Sequence, residues 1–540
     1  MPRRLREKRE AIATELRALK VCKQVGLVGG QSMPEVVRAM GNLRRRGSVA
    51  AAVVNSGRRY RDRTAIVDEL GSVTFAELDT RSSAIANRWQ EQGLRVGDGV
   101  AILARNHRGL PYAVFAAGKL GCRIILLNTD FAGPQIREVL GREGVDLLVV
   151  DEEYLSHLGG HAPRLGVVRA WAEAPGDDTL EALAAAGGPA LPAPPAQHPK
   201  IVVLTSGTTG TPKGAPRSDP RGLTAVAAML ERIPFRSGGV TEMCAPLFHS
   251  LGFGYMLIMT ALGSTIVLRR RFDPVATLDS IERNRSTGMV LVPVMLQRMV
   301  DLEDEAFTSR DLGSFEAMLV SGSQLGGELA TRALASFGPV VHNLYGSTEV
   351  AYATIATPED LASHPTTVGK VCMGAAIRLY DENGQQVPHG RPGRVFVRNA
   401  IPFDGYTGGT HKEVIDGLMS SGDVGHFDAE GRLFIDGRDD DMLVSGGENV
   451  FPREVEELLE HHPDVTGVAC IGVTDEEHGN RLRAFVVRRN GSAVTEDDLR
   501  TYVKENLARY KVPRDVVFID DLPRNATGKV LERELRAFDA

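Results

Sequence analysis

The stretch from Leu204 to Gly214 reads L-T-S-G-T-T-G-T-P-K-G and combines the residue types that bind phosphate. Its glycines let the backbone approach a ligand closely, its Ser and Thr hydroxyls can donate hydrogen bonds, and Lys213 supplies positive charge. It is not a Walker loop, because Pro212 stands where that motif has its second glycine and a glycine follows the lysine in place of Ser or Thr. The stretch therefore predicts a phosphate-binding loop outside the P-loop class.

Four further motifs follow this loop along the chain. They are Y-G-S-T-E at Tyr345–Glu349, S-G-D at Ser421–Asp423, G-R-D-D-D-M-L-V-S-G-G-E-N-V at Gly437–Val450, and P-R-N-A-T-G-K ending at Lys529. The set and its order resemble the acyl-adenylate-forming synthetases, which include acyl-CoA synthetases, luciferases and the adenylation domains of peptide synthetases. The resemblance covers about residues 60–535. It implies an enzyme of the fatty acyl-CoA synthetase type.

The resemblance also implies how ATP is bound. Thr348 would contact the α-phosphate, and Glu349 would bind Mg²⁺, a hard ion that takes one or two carboxylates together with phosphate oxygens. Asp423 and Arg438 would bind the ribose hydroxyls. The β- and γ-phosphates would be held by Thr205, Ser206, Gly207, Thr208, Thr209, Gly210 and Lys213. The adenine would lie in a slot formed by Ser321, Gly322, Ser323, Tyr345 and Gly346, with the ring of Tyr345 stacked on the base.

A further set of residues would carry the acyl transfer. By the same resemblance, Lys529 would bridge the acid carboxylate and the α-phosphate, and with Thr348 and Glu349 it forms the predicted catalytic set. Asp440 would be the hinge about which a C-terminal module rotates for the second half-reaction. Gly446 and Gly447 would border the channel for the CoA thiol, because glycine allows close approach of the pantetheine arm. The implied cofactors and co-substrates are ATP, Mg²⁺ and CoA.

The acyl site is expected around His249 and Gly254. His249 stands where amino-acid-activating relatives present an aspartate to the substrate ammonium, so an amino acid substrate is disfavoured. The small and apolar residues beside Gly254 fit a tunnel for an aliphatic chain, and they fit a core strand equally well. A fatty acid is the predicted substrate, with chain length left open.

Two short segments depart from the family pattern. Ala215-Pro216-Arg217 stands where many members have a valine and later a histidine, and Gly393-Arg394 replaces a frequent Gly-Glu. Neither departure is expected to touch the residues assigned to phosphate, Mg²⁺, ribose or transfer. They bear on the subfamily and on the choice of acid.

The predicted activity is the ATP-dependent conversion of a fatty acid to acyl-AMP and pyrophosphate, followed by transfer to CoA. One alternative is a fatty acyl-AMP ligase that loads a carrier protein, which would make adenylate without consuming CoA. A second is a non-catalytic nucleotide- or acyl-binding relative, which would not need the bridging Lys529. An excised peptide-synthetase domain is disfavoured by the missing aspartate at His249.

The chain of 540 residues is longer than one hydrophobic core usually organises. We expect an α/β fold in three parts: a basic helical extension over residues 1–58, a large N-terminal adenylation domain over 59–438, and a small mobile α+β domain over 439–540. The large domain is predicted to contain two helix-covered sheets and a small β subdomain. Helices are predicted at Phe75–Gln92 and at Pro452–His461, the second opened by its proline.

Charge is concentrated at the N-terminus. Sixteen Lys and Arg residues and five Asp and Glu residues occur up to Arg63, although the whole chain sums to −6. This segment is either a solvated basic helix or a peripheral contact with an anionic membrane surface. Nucleic-acid binding is not expected, because aromatic residues are not interleaved with the charges. The five scattered cysteines and the absence of a visible signal peptide favour the cytoplasm, and the oligomeric state is left open.

Overall fold

The computed structural model describes residues 3–174, 176–205, 213–217, 219, 222–401, 403–407, 412–439, 443–445, 448–450, 452–475, 479–507, 511–525 and 528–539. Within these residues, two sheets belong to the N-terminal part and a third sheet belongs to the C-terminal part. Helices are interleaved with the strands throughout, as expected for an α/β chain.

The bounds of the elements follow the chain. The helices are α1 (Arg3–Gln24), α2 (Met33–Arg59), α3 (Phe75–Glu91), α4 (Gly109–Leu120), α5 (Gly133–Arg142), α6 (Leu180–Ala186), α7 (Thr224–Leu230), α8 (Ser250–Leu262), α9 (Pro274–Asn284), α10 (Pro293–Val300), α11 (Asp304–Thr308), α12 (Gly327–Phe337), α13 (Pro358–Ser363), α14 (Pro452–Glu460), α15 (Glu496–Asn506) and α16 (Glu532–Arg536). Short 3₁₀ helices lie at Glu152–Leu158 and Ala537–Asp539. The strands are β1 (Thr64–Asp68), β2 (Gly71–Thr74), β3 (Gly99–Leu103), β4 (Arg123–Leu126), β5 (Val145–Asp151), β6 (Val167–Trp171), β7 (Lys200–Thr205), β8 (Lys213–Arg217), β9 (Val240–Met243), β10 (Thr265–Val267), β11 (Gly288–Leu291), β12 (Ala317–Val320), β13 (Val341–Tyr345), β14 (Thr354–Ala356), β15 (Gly369–Val371), β16 (Ala376–Tyr380), β17 (Gly393–Arg398), β18 (Val414–Ile415), β19 (Leu418–Phe427), β20 (Arg432–Arg438), β21 (Leu443–Ser445), β22 (Glu448–Val450), β23 (Val465–Asp475), β24 (Gly479–Arg488) and β25 (Asp515–Phe518).

The two N-terminal helices are part of the main core. Helix α2 changes direction at Gly47, whose φ of 78° lies in the left-handed region that favours glycine. Helix α1 and the second half of α2 bury six side chains in the same hydrophobic cluster as Trp89 and Tyr112. These six are Ala18, Val21, Cys22, Val49, Val53 and Val54. The boundary drawn near residue 58 therefore separates two sequence compositions, whereas the hydrophobic core is shared across it.

The first sheet has the order β6-β5-β3-β4-β7-β8. Its first five strands are parallel, and β8 runs antiparallel to β7. Every residue of β3 is buried, as expected for a parallel strand covered by helices on both faces. Helix α3 begins at a capping box of Thr74 and Glu77, and it ends one residue before its predicted end.

The second sheet has the order β16-β17-β19-β20-β15-β14-β13-β12-β11-β9-β10-β1-β2, with β18 paired to β19. Strands β1, β10, β9, β11, β12 and β13 are parallel neighbours. From β13 onward the pairing is antiparallel, and the strands of the predicted β subdomain continue this same sheet. The subdomain is thus joined to the parallel half through the pairing of β13 with β14, beside the Y-G-S-T-E motif.

The C-terminal part has its own sheet, ordered β22-β21-β24-β23 with β25 paired to β24, and its own buried cluster. It contacts the large domain where Gln324 donates to Glu457 over 2.8 Å. A second contact is at Gly528, where a Cβ atom would come within 2.5 Å of Val294. Among the described residues, no helix has both the length and the apolar composition needed to cross a membrane.

Candidate active site

The phosphate loop connects two strands of the first sheet. Thr205 at the end of β7 is paired directly with Lys213 at the start of β8, so the two ends of the loop are held side by side. The backbone of these two residues is described, and their side chains are not. The predicted ligands Ser206, Gly207, Thr208, Thr209 and Gly210 lie outside the described residues.

The predicted nucleoside residues form one hydrogen-bonded group. Asp423 on β19 and Arg438 on β20 are register partners, and the Arg438 guanidinium donates to Asp423 Oδ1 over 3.1 Å. The Tyr345 hydroxyl donates to Asp423 Oδ2. Burial, followed by the charge of Asp423 and this hydrogen bond, raises the pKa of Tyr345 well above its ordinary value. Asp423 is buried, and these two partners hold its carboxylate in one orientation.

The predicted adenine slot lies at the carboxyl ends of β12 and β13, which is where open α/β sheets bind ligands. Ser321 donates through Oγ to the carbonyl of Leu344 over 2.7 Å and so ties the two loops together. Gly346 must be glycine, because a Cβ atom there would lie 2.2 Å from the carbonyl oxygen of Ala351. Gly322 has φ +104°, which also favours glycine.

Glu349 is held in its ionised form. Tyr406 donates to its Oε1 over 2.6 Å, and Ser347 donates to its Oε2 over 2.9 Å. Burial alone raises the pKa of this carboxyl, but the hydrogen bonds from Tyr406 and Ser347 and the charge of Lys412 outweigh it, so the pKa lies below its ordinary value. An ionised carboxylate fits Mg²⁺, and the described residues contain no cluster of three or more His, Cys, Asp or Glu for a metal. As an ionised carboxylate, Glu349 suits a Mg²⁺ ion that is shared with phosphate oxygens.

Thr348 has an unexpected partner in Arg217. The Arg217 guanidinium donates through Nη2 to the backbone carbonyl of Thr348. Burial lowers the pKa of Arg217 to about 10, and the charges of Glu349 and Asp404 act in the opposite direction. The expectation that the A-P-R departure touches none of the assigned residues was therefore wrong. The reason is that β8 ends beside the loop after β13, a contact between segments 131 residues apart in sequence.

The predicted acyl residues lie at the start of α8. His249 precedes this helix, and burial lowers its pKa to about 4, so its ring is neutral near pH 7. Its Nε2 atom is buried and has no hydrogen-bond partner among the described residues. A Cβ atom on Gly254 would touch only the Met229 methyl group, at 4.0 Å. His249 is therefore a buried neutral ring, and the backbone at Gly254 has room for a small side chain.

Lys529 lies on a turn that the C-terminal part presents to the large domain. Its backbone N–H donates to Asn525 Oδ1 over 2.9 Å, and its carbonyl accepts from the Asn525 N–H over 2.9 Å. The neighbouring Gly528 is buried against Val294 and has φ +78°. Lys529 itself is exposed. The predicted hinge Asp440 and the predicted thiol-channel residues Gly446 and Gly447 lie outside the described residues.

One cleft of about 2540 Å³ brings the described candidates together. Its lining includes Tyr345, Gly346, Thr348, Glu349, Gly322, Ser323, Asp423, Arg438, His249, Gly254 and Lys529. It also includes Arg217, Tyr406 and Lys412, which the sequence reading missed. Arg217 could have been singled out from the sequence, because it is a charged residue at the end of a buried strand. No local sequence feature indicates that Tyr406 belongs to the site.

Comparison with known proteins gives concordant matches. Residues 53–407 match the AMP-binding enzyme family, and residues 454–529 match the AMP-binding enzyme C-terminal domain. The indoleacetate–CoA ligase of Aromatoleum aromaticum is 32% identical over 497 residues, which are 88% of this chain and 94% of that protein. A fatty acid–[acyl-carrier-protein] ligase of Streptomyces coeruleorubidus is 30% identical over 494 residues, covering 87% of this chain and 92% of that protein.

A solved structure extends the likeness to three dimensions. The ATP-bound MatB of Rhodopseudomonas palustris superposes with a TM-score of 0.81 at 26% identity and covers 90% of this chain and 98% of its own. CoA ligases of the AMP-binding type use ATP, Mg²⁺ and CoA together. The chain belongs to the AMP-binding family of acyl-adenylate-forming enzymes.

Proposed function

We propose that this chain is an AMP-forming fatty acid–CoA ligase. In the first half-reaction, a carboxylate oxygen attacks the α-phosphorus of ATP, the bond to the β-phosphate oxygen breaks, and acyl-AMP and pyrophosphate form. In the second, the CoA sulfur attacks the acyl carbonyl, AMP leaves, and the thiol proton is released. The observation that carries this proposal is that the nucleoside, carboxylate and apolar residues line one cleft.

The first half-reaction brings two anions together, so positive charge and donors must offset their repulsion. Lys529 would supply a cation from the C-terminal part, and Thr348 would donate to the α-phosphate. Glu349 would hold Mg²⁺, which neutralises phosphate charge when bound. Asp423 and Arg438 would fix the ribose. The residues proposed for the β- and γ-phosphates are Thr205, Ser206, Gly207, Thr208, Thr209, Gly210 and Lys213.

The second half-reaction would use a different position of the C-terminal domain. We assign the hinge to Asp440 and the thiol channel to Gly446 and Gly447. The contacts at Gln324 and Gly528 lie between the two parts, and such a rotation would have to break and remake them. A carrier protein instead of CoA is the rival acceptor, because one relative is a fatty acid–[acyl-carrier-protein] ligase.

An aliphatic acid fits the apolar wall of the cleft. The side chains of this wall near α8 are Val226, Met229, Leu251, Leu257 and Ile258. The cleft continues along α2, where Val36, Met40 and Leu43 line it, so a chain longer than an aromatic ring has room. An aromatic acid is the second candidate, since a relative at 32% identity is an indoleacetate–CoA ligase.

A product assay tests the proposal. The protein is incubated with MgATP and decanoate, palmitate, indoleacetate or ferulate, with and without CoA, and products are identified by mass spectrometry. Decanoyl- or palmitoyl-CoA is the expected product. Thioesters of the aromatic acids alone would move the assignment to the second candidate, acyl-AMP unchanged by CoA would favour the carrier protein, and no product from any acid would overturn the proposal.

The exposed faces of α1 and α2 are consistent with a cytoplasmic enzyme that contacts an anionic membrane. Met33, Val37, Met40 and Leu43 follow each other three or four residues apart on α2 and are 73%, 64%, 66% and 44% exposed. On α1, Ile12, Leu16 and Leu19 repeat this spacing and are 62%, 63% and 44% exposed. Such stripes of apolar side chains on helices are typical of interfacial helices.

Positive charge accompanies these stripes and indicates an anionic surface as the occupant. The exposed basic residues on the two helices include Lys20, Lys23, Arg38, Arg44 and Arg45. Each Lys or Arg near such a surface is worth about 1 kcal/mol. Since Met40 and Leu43 also line the cleft, an acid dissolved in the membrane would meet the apolar wall directly.

Vesicle sedimentation tests this contact. A deletion is unsuitable, because α1 buries Ala18 and Cys22 in the core. The double variant Val37→Asp/Met40→Asp is expected to lose binding to vesicles of equal parts phosphatidylcholine and phosphatidylserine. The control Val275→Asp changes a 41% exposed valine on α9 and should bind as the parent does. Equal binding by the double variant and the parent would refute the contact.

A further inference from the structure

A buried arginine, Arg217, lies in the active-site cleft. The residue lines the cleft, and its Nη1 atom is buried. Within the described part of the chain, this atom has no hydrogen-bond partner. A buried donor without a partner lowers the stability of the folded state by about 1–3 kcal/mol, and by more when the donor is charged. A functional role for this nitrogen would explain why the protein carries that cost.

The other nitrogen of the same group is fixed. Nη2 donates to the Thr348 carbonyl, so the guanidinium plane has a set position beside the Y-G-S-T-E loop. Arginine keeps its proton at neutral pH even when its pKa falls to about 10, the value that burial produces here. Arg217 is therefore a fixed cation with one N–H edge turned away from the Thr348 contact.

The neighbouring carboxylates do not hydrogen-bond to Nη1. Both oxygens of Glu349 accept from other residues, Tyr406 and Ser347. Asp404 contributes through its charge, and its backbone N–H donates to the Pro216 carbonyl over 3.3 Å. The two negative charges offset only part of the cost of burying the guanidinium, because its pKa is still lowered, and an oxygen atom at Nη1 would offset more of it.

We propose that Arg217 Nη1 binds the carboxylate of the acid substrate before adenylation. This assignment rests on the proposed function, in which Thr348 contacts the α-phosphate. A carboxylate on Nη1 would then lie next to the phosphorus that it attacks, on a residue of the large domain. Lys529 comes from the other domain, so Arg217 would orient the acid even when the C-terminal domain is turned away.

Binding without turnover separates this role from a purely structural one. Calorimetry without ATP would compare decanoate with decanol, and indoleacetate with tryptophol. The parent is expected to bind the acid of at least one pair more tightly than its alcohol. Arg217→Gln should reduce that preference by roughly 10- to 150-fold, the effect of losing a hydrogen bond between charged groups, and should leave binding of the alcohol unchanged. Arg217→Lys should restore part of it, because the charge is kept and the planar fork is lost.

The control is Arg310→Gln, which removes an arginine paired with Asp279 outside the cleft. A parent that does not distinguish acid from alcohol in either pair would overturn the inference. So would an Arg217→Gln protein that keeps the parental preference, or one in which acid and alcohol binding fall together. The product assay tests the proposed function independently of Arg217. If no acyl-AMP forms at saturating acid, the proposed function fails, whatever the binding experiment shows.

Discussion

The predicted nucleoside end and the predicted acyl end of the cleft are built in opposite ways. At the nucleoside end, Tyr345, Asp423 and Arg438 hydrogen-bond to one another, and Tyr406 fixes Glu349. At the acyl end, His249 Nε2 has no partner among the described residues, and a Cβ atom on Gly254 would touch only the Met229 methyl group. At the first end, these hydrogen bonds give the side chains of Tyr345, Asp423 and Glu349 a set direction. At the acyl end, shape is the main constraint, so we expect the choice of acid to depend on the volume of its acyl group.

The largest effect is expected where the C-terminal domain reaches this cleft. Lys529→Ala should slow adenylation by ~10²–10³, since a group that acts on developing charge contributes about 2.7–4 kcal/mol. Thioester formation from supplied acyl-AMP should be nearly unaffected. Pyrophosphate release and single-turnover thioester formation measure the two halves. Lys504→Ala on α15 is the matched control, and equal losses in both halves would contradict the assigned role.

At the nucleoside end, Asp423→Asn should weaken ATP binding. The change removes the charge that faces Arg438 and one of the two acceptor oxygens, so the side chain can no longer accept from both Arg438 and Tyr345, at about 1–3 kcal/mol or roughly 5- to 150-fold in the KM for ATP. The KM for the acid should stay constant. Asp178→Asn, which alters a surface pair with Arg169, serves as control. A rise in the KM for the acid instead of ATP would reverse the assignment of the two ends.

At the acyl end, Gly254→Leu should reject long acids. A Cβ atom fits at this position in ordinary contact with Met229, the rest of a leucine side chain would narrow the cleft, and leucine suits a helix. We expect kcat/KM for palmitate to fall about 10-fold, within the 1–3 kcal/mol that one group in an apolar pocket contributes. Butyrate should be spared. Gly141→Leu, on α5 in open space, controls for the helix substitution, and unchanged chain-length preference would remove Gly254 from the acyl site.

The smallest effect concerns the ionisation of Glu349. Tyr406→Phe removes a donor that lowers the pKa of this carboxyl, so the pKa should rise toward its ordinary value. Because the folded pKa is depressed, the charged form contributes stability above the ordinary glutamate pKa and loses it as pH falls through the folded value. The acid limb of the kcat/KM profile should therefore move to higher pH. A shift of this limb to lower pH would show that the hydrogen bond from Tyr406 does not cause the low pKa of Glu349.

Prediction from sequence succeeded where the determinants were local. Helices α3 and α14 begin at the predicted residues, because a capping box and an N-terminal proline specify helix starts within a few residues. The α/β class followed from buried apolar strands alternating with helical segments. The roles of all the assigned site residues stay predictions, and those of the phosphate loop, Asp440, Gly446 and Gly447 fall on residues or side chains that the structure does not describe.

Non-local contacts were the part that sequence reasoning could not supply. Nothing near Arg217 in the chain points to Thr348, and nothing near Tyr406 points to Glu349. The burial of α1 in the core was missed for a related reason. Most residues of α1 are polar or basic, so its composition indicates an exposed helix. The few residues that pack into the core are spread along the helix and form no apolar run in the sequence.

The sequence by itself determined the family and the chemistry, because a phosphate loop and four ordered motifs specify residue types that few other reactions need together. Only the tertiary structure decided which of these groups are paired and which are left with an unused donor. Pairing depends on where strands end in a folded sheet, and the end of β8 beside the end of β13 turned Arg217 from a family departure into a candidate ligand for the acid.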